Sequence, residues 1–155
     1  MTTMTERATE ALGGHLRPGE RVIAATKGHL EGGTVRVAGA VALGGVAAGN
    51  LRADADPSAD LADRLARGAA VAVTDQRVVI FDVTVAGANP KDPVLIVERA
   101  AVTDVVSGTK RVMLIKVPTF GFSVTGADGT VDELRFEVPK VQSADARAVV
   151  AALGA

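Results

Sequence analysis

The chain has 155 residues, a length typical of one domain, and hydrophobic residues make up 48% of it. Seventeen Lys and Arg stand against eighteen Asp and Glu, whereas proteins that bind nucleic acid through its phosphates usually carry a basic excess. Cys is absent, which excludes disulfides, thiolate chemistry and Cys-ligated zinc. The composition predicts one globular domain with an aliphatic core and argues against nucleic acid as a partner.

The N-terminal part of the sequence predicts a short helix, a turn and a first strand. Residues 4–13 fit a helix that ends at Gly13 and Gly14, within an N-terminal extension of residues 1–15. In the turn RPGE, at 17–20, the Pro fixes φ and the Gly permits a positive φ. The extension lacks a basic segment followed by an apolar one, so no secretory signal is visible and the cytoplasm is the expected compartment.

A long connection at residues 34–68 follows the first strand, and its first half allows two interpretations. Apolar residues at even spacing, such as Val41 and Leu43, favour a strand, whereas Gly and Ala at four-residue spacing favour a closely packed helix. We predict a helix, so that most of the connection becomes a helical insertion at about 38–67. The uncharged run 37–51 is too short for a membrane-spanning helix, which needs about 20 apolar residues.

The second half of this connection, DPSADLADRLARG, has the clearest helical pattern in the chain. Asp56 can cap the first turn, and Pro57 suits the first helical position. Leu61 and Leu65 are four residues apart and form one apolar stripe, and Gly68 suits the C-terminal end.

From residue 70 onward the sequence predicts a succession of β-strands. Short apolar runs alternate with breaks that contain Gly, Pro or Asp, as in the polar loop at 87–93. The predicted strands are 70–74, 77–83, 94–98, 101–108, 110–117, 120–126 and a last strand before Pro139. The segments 110–117 and 120–126 are also compatible with one strand bent at Pro118, and the total is then about seven.

The stretch VAVTDQRVVIFDV predicts a hairpin. Its polar quartet Thr-Asp-Gln-Arg separates two apolar runs, and an Asp in a turn can hydrogen-bond its own backbone. A four-residue loop with a type I turn and a two-residue loop at 75–76 both pair Val73 with Val78 and Val71 with Ile80. In either case these four side chains share one face.

A second hairpin is predicted around Asp128-Gly129, because both residues tolerate a positive φ. Apolar residues alternate on both sides of this turn and predict one buried face. They are Phe120, Phe122, Val124, Leu134, Phe136 and Val138.

The C-terminal residues SADARAVVAALGA predict an amphipathic helix. Apolar side chains recur at i, i+3, i+4 and i+7, namely Ala146, Val149, Val150 and Leu153. The apolar face is narrow, so we expect the helix to cover the sheet rather than lie inside it.

The order of these motifs resembles the bacterial pleckstrin-homology-like (PH-like) domains. The resemblance is carried by LRPGERVIAAT, the hairpin VAVTDQRVVIFDV, the segment IVERAAVTDVVSG, the hairpin FGFSVTGADGTVDELRFEVPK and the final helix SADARAVVAAL. It covers roughly residues 16–153 of a predicted domain 16–155. The chain departs from the usual form at the insertion 34–68.

The resemblance implies a mainly β fold: a seven-stranded, antiparallel, partly open barrel closed by a C-terminal amphipathic helix. Such domains are generally non-enzymatic and serve as interaction modules, membrane-proximal adaptors or self-associating units. No catalytic motif, metal-ligand pattern or phosphate-binding loop is recognisable in the sequence either, so we expect no enzyme activity, no metal, no cofactor and no small-molecule substrate.

Two sets of residues are candidates for contact with a partner. The apolar set comes from the 37–51 segment and comprises Val41, Leu43 and Val46. The basic set would contact an acidic protein or an anionic lipid and comprises Lys27, Arg36, Arg52, Arg77, Lys110, Arg111 and Lys116. For each basic residue the alternative is a structural or solvated role, and for Arg77 that role is to complete the hairpin turn.

Two functional hypotheses follow. The first is a non-enzymatic interaction module that acts through protein–protein contacts, including self-association into homo-oligomers. The alternative is a peripheral adaptor at the inner face of the cell membrane, which binds anionic lipid or a membrane protein through residues 37–51 and nearby basic residues.

Overall fold

The computed structural model of the chain describes residues 3–30, 65, 68–83, 89–126, 129 and 131–154. These residues contain seven strands and two helices longer than one turn. In chain order they are α1 (Met4–Leu12), β1 (Val22–Leu30), β2 (Ala69–Thr74), β3 (Arg77–Val83), β4 (Pro90–Glu98), β5 (Val102–Val112), β6 (Ile115–Thr125), β7 (Val131–Glu137) and α2 (Ser143–Gly154).

The strands form one open antiparallel sheet in the order β4-β3-β2-β1-β7-β6-β5. Strand β1 joins the two halves, because residues 22–28 pair with β2 while His29 and Leu30 pair with β7. Gly28 is the last residue before β1 changes its partner, which we call the crossing point of the sheet. A Cβ on Gly28 would lie 3.0 Å from the carbonyl oxygen of Glu137, so glycine suits this position. The predicted mainly antiparallel, incompletely closed β fold with a C-terminal helix is confirmed.

The main core lies between the inner face of the sheet and α2. The predicted hairpin register is confirmed, since Val73 pairs with Val78 and Val71 with Ile80, and all four side chains are fully buried there. The predicted second hairpin pairs Phe120 with Phe136 and Phe122 with Leu134 in the same core. Helix α2 adds Ala146, Val149, Ala152 and Leu153.

Helix α1 covers the other face of the sheet and creates a second apolar layer. A capping box begins the helix, in which Glu6 N–H donates to the Thr3 hydroxyl and Thr3 N–H to the Glu6 carboxylate. Its buried residues contact side chains of β1 to β4, and the layer comprises Met4, Ala8, Leu12, Ala25, Ala70, Ala72, Val79, Phe81 and Ile96. Both faces of β2 are therefore buried, which explains its unbroken apolar sequence.

Two predicted boundaries are wrong. Strand β4 begins at Pro90 and not at 94, and its prolines are tolerated because β4 is an edge strand with register shifts. Residues 110–117 are not one strand, because the chain reverses at Met113 and Leu114, where Val112 pairs with Ile115. Pro118 does not break the strand; it lies within β6 and pairs with Thr109.

The predicted insertion at 38–67 lies outside the described residues except for Leu65. Leu65 is helical, fully buried and part of the main core. Across the part of the chain that the structure describes, no helix combines the length and apolar character needed to cross a bilayer.

Candidate functional site

A buried ion pair that the sequence did not predict joins Arg77 of the β2–β3 turn to Glu20, which precedes β1. Thr74, Asp75, Gln76 and Arg77 form the expected turn, but the Arg77 side chain points inward and is only 5% exposed. Its guanidinium donates to both carboxylate oxygens of Glu20, from Nη2 at 2.6 Å and from Nε at 2.8 Å. Paired donors of this kind match the planar carboxylate and give the contact both strength and direction.

The remaining polar groups of this buried cluster are also satisfied. The Thr74 hydroxyl donates to Glu20 Oε2 at 2.7 Å and accepts the Arg77 backbone N–H at 2.7 Å. The Arg17 backbone N–H donates to Glu20 Oε1 at 2.9 Å, and Arg77 Nη2 donates to the carbonyl of His15 at 2.9 Å. The cluster thus ties the turn after α1 to the β2–β3 hairpin, and its groups have a structural role.

Glu20 stays ionised in this cluster. Burial by itself would raise its pKa, but hydrogen bonds from Arg77, the Arg17 backbone and Thr74, together with the Arg77 charge, lower the pKa to about 2. Arg77 is accordingly corrected from a candidate partner contact to a buried residue that neutralises Glu20. The Glu of RPGE and the Arg of TDQR, noted separately in the sequence, are the two halves of one ion pair.

Acid should weaken the fold through Glu20. Between a folded-state pKa of about 2 and a reference value of 4.5, the unfolded chain binds more protons, so the free energy of unfolding falls as the pH drops. The loss is on the order of 3 kcal/mol and is absent above about pH 5. Denaturant titrations across this range measure it. Glu20→Gln should show a smaller loss, and an equal loss in this variant would contradict the assignment.

The other candidate residues differ in what the structure describes of them. Arg36, Arg52, Val41, Leu43 and Val46 lie outside the described residues. Lys27 is partly buried on β1, opposite Ala70 of β2. Among the candidates that the structure describes, Lys110, Arg111 and Lys116 come together, on a hairpin formed by the end of β5 and the start of β6.

Lys110 stands at the base of this hairpin and is held by the sheet. Its ammonium lies 2.7 Å from the Glu137 carboxylate, which also contacts His29 Nε2 at 2.6 Å. The hydrogen bond from Lys110 lowers the pKa of Glu137, opposed by burial and assisted by His29. Lys110 is therefore an anchor of the hairpin as well as a basic group.

The 110–117 hairpin, meaning residues 110–117, ends in exposed apolar side chains. Met113 and Leu114 at its turn are 89% and 94% exposed, and their neighbours Val112 and Ile115 are 40% and 57% exposed. Arg111 and Lys116 are also exposed and form a cross-strand pair directly behind these residues. The hairpin thus presents an apolar tip, formed by residues 112–115, with a pair of basic residues directly behind it.

The local geometry of this hairpin is energetically unfavourable in two respects. Met113 has a positive φ of 57°, a conformation that bulky side chains rarely adopt. Arg111 and Lys116 place like charges opposite each other, which destabilises a pair of strands. Such local costs are often found at functional sites.

The apolar tip was missed at the level of sequence because VMLI fits a buried strand and contains no Gly, Asn, Asp or Pro. The signal that could have revealed it is the grouping itself, in which a short apolar run is enclosed by basic residues. No Asp or Glu occurs between Asp104 and Asp128.

Comparison with known proteins found no matching family model, no matching curated protein and no matching solved structure. Within the described ranges, no group of three or more His, Cys, Asp or Glu side chains is arranged to hold a metal ion.

Proposed function

We propose that this chain is a non-enzymatic, PH-like interaction module of the cytoplasm whose contact surface is the 110–117 hairpin. The observation that carries the proposal is the near-complete exposure of Met113 and Leu114 at the end of a two-stranded projection. Grouped apolar side chains rimmed by polar residues are typical of interaction sites, whereas single exposed apolar residues are common on any protein.

The buried polar cluster supports a module that presents a surface rather than a reaction centre. Glu20 and Arg77 are 0% and 5% exposed, and they satisfy each other with the help of Thr74. A catalytic acid or base must reach a substrate, and neither of these side chains does so. The lowered pKa of Glu20 is thus explained by the ion pair and hydrogen bonds that stabilise the fold.

A single-cysteine probe tests whether the tip is a contact surface. The chain has no Cys, so Leu114→Cys can be labelled uniquely with a dye whose emission shifts to the blue when it leaves water. We expect the dye emission to shift to the blue when the hairpin binds its partner. A dye at Val141→Cys, a site that is 88% exposed and lies elsewhere in the fold, should show no shift. No shift at Leu114 with lipid vesicles or with excess unlabelled chain would contradict the proposal.

A protein partner, including a second copy of the chain, is one candidate occupant of this contact surface. Strand β5 favours it, because this strand of eleven residues lies at the edge of the sheet and its outer backbone groups can pair with another chain. Light scattering after size-exclusion chromatography tests self-association. A mass that rises with concentration would support it, and a monomer at every concentration would exclude it.

A further inference from the structure

We propose that the 110–117 hairpin docks on the surface of an anionic phospholipid membrane. Met113 and Leu114 enter the boundary between headgroups and acyl chains, while Arg111 and Lys116 contact lipid phosphates. This assignment rests on the proposed function and names the occupant of its contact surface. It places the membrane contact on the hairpin, whereas the sequence suggested residues 37–51, which lie outside the described residues.

Charge complementarity selects a negatively charged partner. Arg111 and Lys116 face each other, and neither has an ion-pair partner among the described side chains. An anionic surface would relieve their repulsion by placing negative charge beside both groups. The whole chain has a formal net charge of only −1, so the attraction is local to the hairpin.

The apolar tip distinguishes a membrane from a purely polar acidic partner. Met113 and Leu114, the most exposed large apolar side chains of the described residues, lie at the extreme end of the hairpin, and the basic pair lies behind them. A strand rises about 3.4 Å per residue, so the pair lies roughly 7 Å from the turn. That spacing matches the ~5–10 Å to which interfacial segments enter the headgroup region.

The geometry of Met113 supports a role for its side chain. Gly, Asn or Asp would adopt a positive φ at lower cost, yet the position carries a large apolar residue. The residue is also 89% exposed, so it gains no packing within the described fold in return. Insertion into a membrane supplies the burial that the side chain lacks in the free protein.

Vesicle co-sedimentation of the full chain tests the proposal. The probes are vesicles of phosphatidylcholine alone and of an equal mixture of phosphatidylcholine and phosphatidylglycerol. We expect binding to the mixed vesicles only, and weaker binding as salt is added, because salt screens the attraction. Absence of binding to mixed vesicles, or equal binding to both kinds, would overturn the proposal.

Matched variants assign the binding to the hairpin. Arg111→Gln with Lys116→Gln should weaken binding on the order of 25-fold, since each basic residue near an anionic surface contributes about fivefold. Met113→Ser with Leu114→Ser should weaken it at least about tenfold. The control Lys140→Gln with Val141→Ser removes an exposed basic and an exposed apolar residue elsewhere and should bind as the original chain does.

Met113→Gly separates binding from folding. Glycine accepts the positive φ, so thermal stability should stay equal or rise while vesicle binding falls. Unchanged binding in both this variant and the double serine variant would overturn the proposal. If the chain does not bind vesicles but the emission of the dye at Leu114→Cys still shifts with excess unlabelled chain, the membrane proposal is wrong. The hairpin is then still a contact surface, and its occupant is a second copy of the chain.

Discussion

Glu20→Ala should lower the free energy of unfolding by about 3–5 kcal/mol, the largest loss expected for any charged residue described in the structure. The substitution leaves the Arg77 guanidinium buried without its counter-charge, which is far more costly than the loss of an exposed ion pair. The hydrogen bonds that the Thr74 hydroxyl and the Arg17 backbone N–H donate to the Glu20 carboxylate would also be lost. Denaturant unfolding at neutral pH measures the effect.

Two comparisons sharpen this prediction. Glu98→Ala removes the partner of Arg17 on the surface, where both side chains are about half exposed, and should have a much smaller effect. Glu20→Leu combined with Arg77→Met replaces both charges with apolar side chains and should cost less than Glu20→Ala alone. A loss for Glu20→Ala no larger than that for Glu98→Ala would show that the pair is not essential to the fold.

Phe136→Ala should also destabilise the protein by about 3–5 kcal/mol, because it opens a cavity in the centre of the main core. The Phe136 ring is fully buried and stacks against Phe120 and Phe122, with ring centroids 5.3 and 6.4 Å apart. These rings join β6 to β7, and β7 in turn pairs with β1 at the crossing point of the sheet. Thermal or denaturant unfolding measures the loss.

Val131→Ala on the same strand is the matched control for Phe136. Val131 is 57% exposed, so removing two of its carbons should change stability by less than about 1 kcal/mol. Equal losses for the two variants would contradict the position of Phe136 in the core. Because Phe136 lies far behind the hairpin turn along β6 and β7, vesicle binding by the folded fraction should remain unchanged.

The two halves of the sheet, β1–β4 and β5–β7, have different roles. The β1–β4 half is covered on both faces and is tied to the turn after α1 by the Glu20–Arg77 pair. The β5–β7 half extends beyond the core as the 110–117 hairpin, whose base is held by the contact of Lys110 with Glu137. This ion pair holds the base of the hairpin to β7, so that the hairpin can present its apolar residues away from the core.

Local patterns in the sequence predicted most of the described elements. The alternation of Phe120 and Phe122 with Leu134 and Phe136 specified one hairpin, because side chains on a strand point alternately to its two faces. The spacing of Ala146, Val149 and Leu153 specified the buried face of α2 for the analogous helical reason. The turn at 75–76 and its register could be placed because polar turn residues separate two apolar runs.

The candidate site was predictable only in part. Lys110, Arg111 and Lys116 were among the predicted basic contacts, but their position on one hairpin was not predicted. Met113 and Leu114 carry no turn signal, and the reversal there is imposed by pairing along the full lengths of β5 and β6. Such pairing joins residues on separate strands, and no local propensity at Met113 expresses it.

The sequence by itself determined the strand-rich composition, the terminal helix and the two hairpins whose turns and apolar alternation are local. Only the tertiary structure decided that Arg77 is buried, that α1 covers the outer face of the sheet, and that Met113 and Leu114 are exposed. The physical reason is that burial depends on partners distant in the chain. Arg77 can leave water only because Glu20 meets it, whereas nothing in the described fold covers the tip of the hairpin.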